Sequence, residues 1–147
     1  MAALREYFRE TVQFVYGDEA KGIVGLNDGI IQLDAKINET NRRGAALKAA
    51  NVVCFDLALL ALSTAGLCRH PRFLVHDGPR VADVSNVIYA RYFEFAALLA
   101  DRPGKPNFQY IVTTTTNPPE RFRGKEFVVC ELDASTADGR LFKKDLT

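Results

Sequence analysis

The sequence predicts an α/β domain built on a parallel strand pair joined by a right-handed helical crossover, with antiparallel hairpins flanking it. Three observations carry this. "RFLVHD" (72–77) and "NFQYIVTTTT" (107–116) read as strands, and one helical stretch lies between them. Asn27-Asp28-Gly29 separates two short apolar runs, a strong hairpin signal. A long apolar helical pattern runs from near residue 41 to about Ala65 and is closed by Gly66. At 147 residues the chain is one domain, 1–147, on size alone.

The elements follow in order. Residues 2–16 place Leu4, Tyr7, Phe8, Val12 and Val15 at helical spacing with Arg and Glu between, and Gly17-Asp18 stops that helix. "KGIVGLNDGIIQLDAKI" is the hairpin, and the 41–65 helix comes next. After strand 72–77, Asp83 or Ser85 supplies the cap for a helix over 84–101, which ends before Pro103. Strand 108–114 completes the parallel pair. "KEFVVCELD" and "GRLFKKDL" flank "ASTADG" as a final antiparallel pair.

Composition narrows the function classes. With 19 basic and 18 acidic residues, the net charge of +1 makes no general case for nucleic acid. Cys54, Cys68 and Cys130 are odd in number and lack CxxC spacing, so neither a disulfide framework nor a zinc site is indicated. The N-terminus has charges from residue 5 and no signal-peptide apolar core. The most apolar run carries Asn51 and Asp56, which argues for a core helix and no membrane span. A cytoplasmic, reduced protein is expected.

In open parallel sheets, ligands bind at the carboxyl ends of the strands. Asp77 and the Thr113–Thr116 run both fall there. From position alone, Asp77 is either a metal or phosphate ligand or an Asp that caps its own turn. Asp56 lies among apolar neighbours, where an unpaired carboxylate is costly. It therefore pairs with an Arg, bonds to a backbone end or turns to water, and a structural hydrogen bond is the preferred reading. "RFRGK" (121–125) reads as a solvated basic turn rather than a phosphate or DNA contact. Cys68 and His70 read as loop residues. No His–Asp pair can be assigned to make Ser85 or the threonines a nucleophile.

"CFDLALL" (54–60), "FLVHD" (73–77) and "FQYIVT" (108–113), in this order, resemble the C-terminal lobe of SMC/RecN-like ABC ATPase heads. The likeness is greatest to a bacterial group of uncharacterised coiled-coil ATPases carrying FDLALL, FLxHD and FQYI motifs. The resemblance implies a P-loop-NTPase-like half domain. In it Asp77 matches the Walker B aspartate that helps hold Mg²⁺, and Asp83 matches the D-loop aspartate that works across a dimer interface. "NETNRRGAALKAA" stands where the signature loop precedes its helix. There Gly44 permits close approach of backbone N–H groups to a γ-phosphate, and Arg42 and Arg43 add charge.

The departures are specific. Gly78 stands where a glutamate usually polarises the attacking water, and His76 is the candidate substitute base. Signature Ser-Gly-Gly is replaced by "RRGA", and the switch histidine by threonine near Thr115 or Thr116. No GxxxxGK[ST] occurs in the chain, so it is not expected to cradle ATP alone. Two functions are weighed on this basis. One is half of an ATPase engine that needs a Walker A lobe on another segment or partner subunit, with residues 1–16 as the root of a coiled coil. The other is a non-catalytic interaction module; a small unrelated hydrolase is a distant third. Mg²⁺ and ATP belong to the complete head, DNA enters by resemblance only, and a homo-oligomer, most simply a dimer, is expected.

Overall fold

The computed structural model describes residues 1–37, 44–79, 84–104, 107–133, 135–136 and 139. Two compact units are present, Met1–Asn117 and Pro118–Thr147. The first holds helix α1 (Ala2–Tyr16), strands β1 (Lys21–Asn27) and β2 (Ile30–Lys36), helix α2 (Ala45–Thr64), strand β3 (Phe73–Asp77), helix α3 (Asn86–Ala100) and strand β4 (Gln109–Thr113).

Helix α1 buries Phe8, Thr11, Val12 and Val15, one face at three- and four-residue spacing. That face packs on α2 and on the hairpin. Gly22 lets the hairpin come close, since a Cβ there would stand 3.0 Å from both Phe8 Cδ1 and Val12 Cβ. β1 and β2 pair antiparallel from Lys21↔Lys36 to Asn27↔Ile30. Asp28 (φ 49°) and Gly29 (φ 79°) close the turn, the double left-handed geometry for which an Asp-Gly tip is suited.

Helix α2 is the central element, packed against α1, β2, α3 and β3. Cys54, Leu57, Ala58, Leu60 and Ala61 have no exposed surface. By length and composition it is long and apolar enough to cross a membrane, although it carries Asn51 and Asp56; half of the qualifying stretch is buried within the fold, where α2 is the core helix expected. Its C-terminus is a Schellman motif. The Leu67 and Gly66 amides bond the Leu62 and Ser63 carbonyls at 3.0 and 2.9 Å, with Gly66 at φ 75°. Residues 41–43, where the helix was expected to begin, lie outside the described residues.

β3 and β4 pair parallel, from Phe73↔Gln109 to Asp77↔Thr113, with α3 as the connection. Ser85, one of the two expected caps, accepts a hydrogen bond from the Ile88 amide at 3.3 Å. The fold is thus mixed α/β with one parallel strand pair and one antiparallel hairpin.

The second unit contains a 3-10 turn, Glu120–Phe122, with Phe122 and Phe127 in edge-to-face contact at 5.1 Å. The antiparallel pair expected over 125–133 and 139–146 is not formed among the described residues. The Gly124 carbonyl takes the amides of both Phe127 and Val128 at 2.9 Å, which turns the chain where a strand would start. Among the described residues the two segments are joined by a bond from the Asp133 amide to the Gly139 carbonyl at 2.8 Å, and residues 140–147, most of the second expected strand, lie outside the described residues.

Candidate functional site

Residues alternate faces along a strand, so consecutive residues His76 and Asp77 point to opposite sides of the β3–β4 pair. Leu74 and His76 turn toward the helices, and Phe73, Val75 and Asp77 turn away. Two sites result, one on each side of the same strand end.

On the open side, the Thr113 hydroxyl donates to the Asp77 carboxylate at 2.5 Å across the register pair. The Gly78 amide then bonds the Thr113 carbonyl at 2.8 Å, carrying the ladder one step past the strand. Gly78 sits at φ 56°, in the left-handed region where a side chain is strained, which explains a glycine directly after the aspartate. Thr114 Oγ1 accepts from the Thr116 amide at 3.0 Å and donates to the Thr116 carbonyl at 3.1 Å. The Tyr89 hydroxyl of α3 reaches the same oxygen at 3.3 Å, and Thr115 is exposed. An exposed carboxylate beside a hydroxyl is a hard-oxygen donor set. It suits Mg²⁺, which keeps several of its own waters. Among the described residues no three His, Cys, Asp or Glu side chains converge as a metal cluster.

On the helix side, His76 Nε2 lies 3.1 Å from Asp56 Oδ2 and Nδ1 lies 2.9 Å from the Tyr110 hydroxyl. A carboxylate only accepts, so the arrangement assigns the proton to Nε2, and Nδ1 accepts from the Tyr110 O–H. The His76 and Tyr110 rings meet edge-to-face at 5.4 Å. Burial pushes the Tyr110 phenol well above its usual range, with smaller contributions from Tyr89, Asp56 and Cys54. Asp56 thus makes the structural hydrogen bond expected of it, but to the histidine of the next strand rather than to an arginine, a backbone end or water.

The expected residues thus separate. Asp77 and the threonine run share one end of the parallel pair. His76 faces the other way with both ring nitrogens engaged. Gly44 is the N-cap of α2, exposed and extended at φ −151°, with no side-chain cap bond. Arg42, Arg43 and Asp83 lie outside the described residues. Cys68 and His70 belong to the loop after α2, where His70 Nδ1 accepts from the Arg72 amide at 3.2 Å. The Tyr110–His76–Asp56 chain is the feature that sequence reasoning missed. Its one signal was a lone carboxylate on an apolar helix, and its partners lie 20 and 54 residues away along the chain.

No curated protein and no solved structure matches the chain. A match over residues 11–146 shows that the chain belongs to the DUF2326 family, described as an uncharacterised protein conserved in bacteria.

Proposed function

We propose that this chain is the C-terminal lobe of an SMC/RecN-like, P-loop-type ATPase head, completed by a Walker A lobe on another segment or subunit. The observation that carries the reading is Asp77 at the carboxyl end of β3, exposed and paired with Thr113 at the end of the neighbouring parallel strand. In the complete head, Mg²⁺ would screen and polarise the nucleotide phosphates. Asp77 would hold it, with Thr113 orienting the carboxylate. The N-terminus of α2 at Gly44, with Arg43 before it, would face a partner's γ-phosphate through free backbone N–H groups. Thr115 would border the same crevice, and Asp83, by resemblance, would work across the dimer interface. Since His76 is engaged on the helix side, the water-activating group in this reading comes from the complementary lobe. The protein acts as a cytoplasmic dimer, and DNA belongs to the parent machine by resemblance only.

A specific observation favours a second reading, an interaction module without ATPase chemistry. Phe73 and Val75 are 48% and 46% exposed on the open face of the parallel pair, and Gly78 holds the place of the usual glutamate. Such sheets are ordinarily covered on both faces.

Calorimetry with MgATP, followed by turnover assays with a Walker A polypeptide added, decides between them. The ATPase reading expects no tight binding by the chain alone and Mg²⁺-dependent turnover in the mixture. Micromolar binding by the chain alone overturns the split-head reading. Association in the mixture without turnover leaves the interaction module.

A further inference from the structure

One imidazole links three elements. His76 of β3 bonds Asp56 of α2 through Nε2 and Tyr110 of β4 through Nδ1. The residue after His76 is Asp77, and the direct register partner of Asp77 is Thr113, three positions after Tyr110. Two hydrogen bonds that hold these strand ends from the helix side therefore meet at the histidine next to the exposed carboxylate. One further contact supports the same end, where the Tyr89 hydroxyl of α3 reaches Thr114 at 3.3 Å.

A two-stranded sheet is marginal by itself and needs packing to hold it. Here the apolar packing on the helix side is interrupted at its centre by a polar group, 10% exposed, whose hydrogen bonds are both made. A buried polar group of this kind specifies a unique arrangement, because any slip of β3 against α2 would leave it unpaired.

We infer that Asp56, His76 and Tyr110 form a strut that locks the ends of β3 and β4 onto α2, and that they are positioning residues for Asp77. The strut ties the carboxylate that would hold the cation to the helix whose N-terminus would meet the phosphate. In that respect it rests on the ATPase reading. Its mechanical content does not.

Amide hydrogen exchange on the chain itself tests the mechanical content. Asp56→Ala should speed exchange of the Gly78 amide and the β3–β4 ladder about tenfold more than exchange of the β1–β2 ladder. Asp56→Asn keeps an acceptor for Nε2 and should recover most of that protection. Tyr110→Phe removes one hydroxyl and serves if Asp56→Ala does not fold; it should loosen the same amides selectively and shift the His76 Nδ1 resonance. Equal acceleration in both ladders, or no rescue by Asn, overturns the strut. In the assembled head, Asp56→Ala should lower kcat about tenfold with KM for MgATP little changed, and Asp56→Asn should restore it. Wild-type assemblies without turnover overturn the ATPase reading, and the exchange result then decides the strut by itself. Active assemblies indifferent to Asp56→Ala overturn its role in positioning Asp77.

Discussion

The Thr113 hydroxyl donates to the Asp77 carboxylate across the last register pair of the parallel strands. The hydroxyl of the neighbouring strand thus orients the carboxylate at the sheet end. Asp77→Asn keeps an oxygen that Thr113 can donate to, so stability should change by less than about 0.5 kcal/mol in urea unfolding. In the assembled head, Mg²⁺-dependent turnover should fall about 100-fold or more. A loss of stability above about 1 kcal/mol, with turnover retained, would identify Asp77 as a structural residue.

Gly78 is at φ 56°. Gly78→Ala should cost about 1–2 kcal/mol through left-handed strain, read as a lower urea midpoint at unchanged slope. Gly78→Glu restores the residue type usual in ATPase heads but carries the same strain, so it should be destabilised similarly. An unchanged midpoint for both would show that the backbone relaxes out of that conformation.

Phe73 and Val75 leave apolar surface on the open face of β3. Without a complementary lobe, that face is expected to drive self-association, most simply a dimer. Val75→Lys should shift the sedimentation distribution to monomer with the circular dichroism spectrum unchanged. A wild-type chain that stays monomeric at high concentration removes the oligomer from the proposal.

Burial pushes the Cys54 thiol and the Tyr16 and Tyr92 phenols above their ordinary values of 9.0 and 10.0. Above about pH 9 the unfolded chain therefore gives up protons that the folded chain keeps. Stability is fully present below that pH and falls as pH rises, by about 1.4 kcal/mol per pH unit for the Cys54 thiol once its unfolded form is ionised. Alkylation should follow exposure, with Cys130 reacting first and Cys54 last, since only the thiolate attacks. Rapid labelling of Cys54 in the folded chain would contradict this.

What the sequence determined by itself is what short-range chemistry controls. Asp28-Gly29 specifies its turn because two left-handed residues in a row favour that pair, and Gly66 ends α2 because the single left-handed position after the helix favours glycine. Helical spacing in residues 2–16 marks the α1 face that is buried, and Ser85 caps α3 through a bond only three residues long. Tertiary structure decided the rest. "KEFVVCELD" has the composition of a strand, but a strand needs a partner ladder, and the Gly124 carbonyl takes the amides of its third and fourth residues, Phe127 and Val128, in a turn. The strand order Phe73 to Asp77 shows that His76 and Asp77 face opposite ways, yet nothing local says which face the helices cover. That depends on α2 delivering Asp56 to the imidazole, a contact between residues 20 apart in sequence. Loop closure over such distances is fixed by packing of the whole core, and local propensity carries no record of it.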